Sequence, residues 1–157
     1  MGNRLNIDQW AMALVQTTAL RSTCLHRQIG CILTNKKGHV LATGYNGAAT
    51  GLVHCSDTGH CHKARFTSGE GLDHCVAIHA EQNALLQCHN VNEIHAVYCT
   101  ASPCTTCTKL LLNTSAQIIM FYDRYPHPEA EAMWTMSGRI WRQVTMKERT
   151  NRVILHV

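Results

Sequence analysis

The chain has 157 residues, 45% of them apolar and 15% charged, which suits one packed domain over 1–157 and excludes a disordered polymer. The formal charge is +4 with 11 histidines counted as neutral; that balance suits a small anionic ligand, and no Lys/Arg block is dense enough to track a nucleic acid. The opening MGNRLNIDQWAMALV lacks the apolar run of a signal peptide and no stretch approaches a membrane span, so the expectation is a cytoplasmic protein with no membrane partner.

In chain order, Ile7, Trp10, Ala11 and Leu14 recur at helical spacing and predict a helix over 6–20, capped by Asn6 or Asn3. Ile29–Thr34 and Val40–Tyr45 flank an Asn-Lys-Lys-Gly turn and read as a hairpin. Periodicity is then lost until about residue 74, too long a stretch for an idle connection unless something holds it. A helix is expected from about Ala77, a strand over Ile94–Thr100, a helix over Cys104–Asn113 and a strand over Gln117–Tyr122. A short helix near 129–137 and a strand over Trp141–Met146 complete the pattern, followed by a basic, β-branched tail that could pair with the domain or a neighbour. This alternation predicts a layered α/β domain.

Nine cysteines punctuate the sequence. Their odd number, beside many histidines and no signal peptide, favours reduced or metal-bound thiols over disulfides. Cys31 and Cys99 fall inside strands and Cys88 late on a helix, where small buried hydrophobes are expected.

Cys104 and Cys107 stand three positions apart behind Pro103, which places both sulfurs in the first turn of a helix. Free amide donors and the helix dipole favour thiolate there, the form zinc binds. A redox pair or two unliganded surface thiols are the alternatives. His79 would complete a Cys2His set, which leaves a tetrahedral zinc one open position, as catalytic sites do. If a helix starts near His79, Glu81 approaches the same ligand without binding the metal; otherwise it is an ordinary first-turn glutamate. Zinc acidifies a bound water, and Glu81 could carry its proton to a ring nitrogen and then to a departing amine. That chemistry fits attack on an amidine-like carbon such as C4 of cytosine. A zinc peptidase would need a His-Glu-x-x-His helix, which is absent.

His79-Ala80-Glu81 combined with Ser102-Pro103-Cys104-Thr105-Thr106-Cys107 resembles the zinc-dependent cytidine deaminase superfamily. More narrowly, Gly44-Tyr45-Asn46-Gly47, the His/Cys-rich insertion, His79–Ala84 and Tyr122–Tyr125 look like deoxycytidylate deaminases, over roughly Arg21–Tyr125. The resemblance implies a three-layer α/β/α fold around a central mixed five-stranded sheet, with zinc ligands at the starts of two helices. It implies conversion of dCMP to dUMP and ammonia, a homohexamer, and regulation by dCTP and dTTP with Mg2+. Carried over by position, Glu81 is the catalytic residue, and Arg27, Asn46, Ala80, Ser102, Tyr122 and Tyr125 are substrate contacts. Arg27 would meet the 5′-phosphate and Asn46 the sugar; Tyr122 would flank base or sugar, and Tyr125 would reach phosphate. Gly44, Tyr45 and Gly47 would belong to a regulatory triphosphate site. The competing readings are a solvated arginine, strand-end packing for the tyrosines, and a purely structural turn at Gly44–Gly47.

Cys24, Cys55, Cys61 and Cys75 bracket the insertion at about 48–75, which lacks a core of its own. A second, structural zinc on these four would tie the insertion to the first helix, as the resemblance also implies. His54, His60, His62 and His74 compete as ligands, and loop thiols without metal remain open. Two other functions share the catalytic motif or the metal: a tRNA adenosine or single-strand polynucleotide cytidine deaminase, and a nonenzymatic zinc-binding nucleotide sensor. Sparse positive charge speaks against a stable nucleic-acid partner, and Glu81 speaks against a sensor, because a closed structural zinc needs no neighbouring proton carrier.

Overall fold

The structure is a computed structural model that describes residues 4–144; the final part of the predicted Trp141–Met146 strand and the basic tail lie outside the described residues. Helix α1 (Ile7–Ala19) starts at Asn6, whose side chain accepts from Gln9 N at 2.8 Å while Gln9 Oε1 accepts from Asn6 N at 3.0 Å. This reciprocal cap satisfies two backbone donors at a helix end. Strands β1 (Gly30–Thr34) and β2 (Val40–Tyr45) form the predicted antiparallel hairpin, with Cys31 opposite Gly44.

The helix expected from Ala77 begins three residues later. Ala77 and Ile78 instead form strand β4 (Ala77–Ile78), paired antiparallel with β3 (Gly47–Ala48), and α3 spans Ala80–Gln87. This small ladder fastens the far end of the insertion to the end of the hairpin. Within the insertion only α2 (Cys55–Thr58) and a short turn at Leu72–His74 are regular.

The rest follows the predicted alternation: β5 (Ala96–Ala101), α4 (Thr105–Leu112), β6 (Ile118–Asp123), α5 (Pro128–Met136) and β7 (Ile140–Gln143). Strand β5 starts after Ile94 because Val91–Glu93 form a tight 3-10 turn and Ile94 packs into the core. The main sheet has the order β2-β1-β5-β6-β7. Strand β1 is antiparallel to both neighbours, whereas β5, β6 and β7 are parallel, so the sheet is mixed. Parallel strands need crossovers, and α4 and α5 supply them.

Alternation along the strands divides the core in two. Cys31, Leu33, Val97, Cys99, Ile119 and Phe121 face Ala80, Ala84, Leu111 and Trp134 of α3, α4 and α5. Ile32, Tyr98, Met120 and Tyr122 face Ala11, Met12 and Val15 of α1. The result is the expected three-layer arrangement. Cys31 and Cys99 are fully buried opposite one another, as the small-hydrophobe reading required. Among the described residues, no helix is long and apolar enough to cross a membrane.

Candidate metal centre and substrate cavity

Two helix starts converge on one point. His79 is extended (φ −70°, ψ 154°) and its N–H donates to Gln82 Oε1 at 2.9 Å, so α3 begins immediately after it. Because His79 is the cap and not a helical residue, its ring and the Glu81 carboxyl can both turn to the same end. Cys104 is likewise the cap of α4 (φ −71°, ψ 169°), with its sulfur accepting from Cys107 N at 3.5 Å. The helix therefore starts one residue later than the sequence predicted, with Cys107 in its first turn.

His79 Nδ1 lies 3.5 Å from Cys104 Sγ and 3.4 Å from Cys107 Sγ. A tetrahedral zinc with ordinary Zn–N and Zn–S bonds would hold its nitrogen and sulfur ligands about 3.5 Å apart. The donor set therefore fits zinc in both chemistry and spacing. Among the described residues, these three are the one His/Cys/Asp/Glu set whose ligand atoms all lie within 4.8 Å of one another.

The electrostatics are those of donors crowded around one proton. Cys104 is held down to about 4, first by its hydrogen bond from Cys107 and then by His79. Cys107 is pushed up by the same hydrogen bond and by burial. His79 is raised chiefly by its bond to Cys104. Glu81, only 4% exposed, is raised by burial, with His79 partly opposing the shift.

Beside this cluster is a cavity of about 190 Å³ that includes His79, Ala80, Glu81, Ser102 and Cys104 in its wall. Arg27, Asn46 and Tyr125 also line it, with the Arg27 guanidinium 5.6 Å from the centre of the Tyr125 ring. Ser102 Oγ accepts from Tyr125 N at 2.7 Å. Asn46 is heavily committed to the chain before β1: its Oδ1 accepts from Ser22 Oγ at 2.6 Å and Ile29 N at 2.8 Å, and its Nδ2 donates to Arg27 O at 2.9 Å. One Nδ2 hydrogen is left over from these bonds. Tyr122 is not part of the cavity wall; strand alternation points its ring into the α1 core.

Gly44 sits where β2 passes under the start of α3, and a β-carbon there would come within 2.1 Å of Ala80 O. Tyr45 O accepts from Asn83 Nδ2 at 2.8 Å, Arg21 stands 5.8 Å over the Tyr45 ring, and Gly47 packs against Thr23. The Gly44–Gly47 stretch is thus at least a structural clamp on the metal-bearing helix.

The insertion supplies wall residues that sequence reasoning missed: Lys63, Phe66, Thr67 and Ser68 all line the cavity. No periodic signal announces them, because the segment is placed by contacts made far along the chain. Of the second cysteine group, Cys24, Cys61 and Cys75 also line the cavity. The Cys55 thiol is pushed up by burial and then by Cys61, Cys24 and Cys75, so the four are neighbours, although no three of them reach the spacing of the first cluster. Of the competing histidines, His54 has a buried Nδ1 with no hydrogen-bond partner, whereas His74 stacks on Phe66 with ring centres 5.0 Å apart and His60 packs edge-on to His62.

Residues 5–123 match the family model described as the cytidine and deoxycytidylate deaminase zinc-binding region. The chain belongs to this deaminase family. A deoxycytidylate deaminase of Schizosaccharomyces pombe is 34% identical over 122 residues, 75% of this chain but 37% of that protein. ComE operon protein 2 of Bacillus subtilis is 33% identical over 150 residues, 92% of this chain and 75% of that one. This deaminase-family chain therefore spans well under half the length of its yeast relatives. The dCMP deaminase of cyanophage S-TIM5, solved in complex with dCMP and dUMP, shares the fold with a TM-score of 0.73 at 21% identity, covering 91% of this chain and 100% of that one.

Proposed function

We propose that the chain hydrolyses dCMP to dUMP and ammonia at a single catalytic zinc site formed by His79, Cys104 and Cys107. The observation that carries this reading is the three-donor cluster with Glu81 buried beside it on the wall of a cavity. When bound, zinc supplies the Lewis acidity that readies a water for attack near neutral pH. Glu81 takes a proton from that water and delivers it to N3 of the cytosine ring. Once oxygen has added to C4, Glu81 takes the second proton from that hydroxyl and passes it to the amine as the C4–N bond breaks, so that water and the C4 amine become a carbonyl and ammonia while N3 keeps the first proton. A carboxyl raised by burial suits both directions of transfer.

Binding of the nucleotide falls to the rest of the wall. Ala80 and Ser102 offer backbone and hydroxyl groups to the base, Asn46 its remaining Nδ2 hydrogen to the sugar, and Arg27 its fork of donors to the 5′-phosphate, beside Tyr125. The Tyr122 ring faces the α1 core and is not in the cavity wall, so its packing lends no support to a substrate contact. The sequence resemblance and the deoxycytidylate deaminase of Schizosaccharomyces pombe support the same substrate.

The finer reading includes a second, structural zinc on Cys24, Cys55, Cys61 and Cys75, with His54 the strongest histidine competitor because of its orphaned nitrogen. It also includes activation by dCTP and inhibition by dTTP with Mg2+ at Gly44, Tyr45 and Gly47, assembly as a homohexamer, and a cytoplasmic location. Purified protein assayed for ammonia release from dCMP, deoxycytidine, cytidine and adenosine-containing RNA, with dCTP and dTTP varied separately, tests this reading. Turnover should be largest on dCMP; release from folded RNA without dCMP turnover would transfer the chain to the polynucleotide deaminases.

A further inference from the structure

His127 contributes nothing to the cavity wall, yet it joins two segments that do. Its Nδ1 accepts from Thr105 N at 3.2 Å, with Thr105 Oγ1 at 3.3 Å, and its Nε2 lies 3.1 Å from Gly69 O. A backbone N–H can only donate and a carbonyl can only accept, so these partners fix the neutral tautomer with the proton on Nε2. Thr105 is the first residue of α4, and its N–H is one of the amides a helix leaves without an internal partner. Gly69 directly follows Thr67 and Ser68, the part of the insertion that faces the cavity. Gly69 has φ +89°, and a β-carbon there would stand 3.0 Å from Pro126 and 3.2 Å from His127 Nε2. Only glycine sits comfortably at that position, so the close approach of the two segments is built into both.

We propose that His127 is a positioning residue: its imidazole latches the insertion to the head of α4 and so holds Phe66, Thr67 and Ser68 as a wall of the substrate cavity next to Cys104. Between α2 and the Leu72–His74 turn the insertion's described backbone has no helix or strand, so links to the rest of the domain, the His127 bridge among them, must place these wall residues. The latch works by binding and not by chemistry. Its loss should weaken capture of the nucleotide while leaving the proton path of Glu81 intact.

The two ring nitrogens can be separated by substitution. In His127→Gln, the side-chain amide reaches the Nε2 position and keeps the donor to Gly69 O. In His127→Asn, the shorter side chain keeps an acceptor near Nδ1 for Thr105 but falls short of Gly69. The kinetic arm rests on the dCMP reading; hydrogen exchange of the peptide covering 61–75 does not. The expected result is that His127→Asn raises KM for dCMP roughly three- to tenfold with kcat nearly unchanged, the range one lost hydrogen bond supports. Exchange within 61–75 should quicken by a similar factor while the sheet stays protected, and zinc content should hold. His127→Gln should stay close to the parent protein, and Gly69→Ala should reproduce the asparagine variant. Equal behaviour of the Asn and Gln variants, unchanged exchange in 61–75, or faster exchange spread through the sheet would overturn the latch. If the parent protein does not turn over dCMP, the substrate reading fails, while the exchange comparison still decides the latch.

Discussion

Glu81 shares its corner of the protein with two thiols and an imidazole, and it is the group there that a tetrahedral N/S cation does not need. That asymmetry separates two kinds of damage. Glu81→Gln keeps the shape and one hydrogen-bonding oxygen but cannot exchange a proton. The variant should retain its catalytic zinc and lose about 10²- to 10⁴-fold in turnover, the usual weight of a positioned proton carrier. His79→Ala removes a ligand and should lose both the ion and the turnover. Zinc content by atomic emission, read beside ammonia release, checks the pair. Full turnover by the Glu81 variant would remove the carboxyl from the mechanism; loss of the ion from that variant would make it a ligand or a structural prop.

At the next scale, the start of α3 is held in place by β2. The β-carbon added in Gly44→Ala would meet two backbone atoms, Ala80 O at 2.1 Å and Ala84 N at 2.4 Å, so either the strand or the helix must move. Such overpacking costs about 1–3 kcal/mol. Because Ala80 adjoins His79, zinc should also leave more easily. A lower urea midpoint together with faster loss of zinc to a chelator is expected; an unchanged midpoint would show that the contact is slack. The opposite face has its own tie, from Tyr98 OH on β5 to Asp8 Oδ1 of α1 at 2.8 Å. Burial, then the Asp8 bond, raises the Tyr98 pKa above its usual 10.0. The folded state therefore binds this proton more tightly than the unfolded chain. Its contribution is present below about pH 10 and lost as pH rises toward the higher folded value. Tyr98→Phe should flatten that alkaline decline in stability, measured as urea midpoints across the range. Both ties show what the sequence makes legible. The apolar spacing of α1, the hairpin, and the near-adjacent pairs His79/Glu81 and Cys104/Cys107 are local patterns and can be read along the chain. The contact of Gly44 with Ala80, and that of His127 with residues 22 and 58 positions away, depend on how elements pack and leave no local period. Tyr122 shows the same limit: its neighbourhood resembles the family's site, but strand alternation sends its ring to the other face.

For the whole molecule, the insertion decides how much of the cavity exists. It contributes Lys63, Phe66, Thr67 and Ser68 to the wall while burying little apolar surface of its own. A segment so poor in core must be fixed by a few strong links. Cys24 follows α1, Cys55 opens α2, and Cys61 and Cys75 lie on either side of the wall residues, so one ion held by them would close the loop from both ends. Binding an ion to the folded arrangement alone also shifts the local opening equilibrium toward the closed form. The purified chain should then carry two zinc ions, and Cys55→Ser should carry one. In that variant, trypsin should cut faster near Lys63 and Arg65, KM for dCMP should rise more than kcat falls, and the ion at His79, Cys104 and Cys107 should remain. His54→Ala decides between the competing ligands: loss of the second ion would bring the orphaned His54 nitrogen into the set in place of one sulfur. A parent protein with one zinc, or a Cys55→Ser protein that keeps two, would leave the insertion to be held by direct links such as the His127 bridge, the Ser56–Thr23 backbone bond and the β3–β4 ladder.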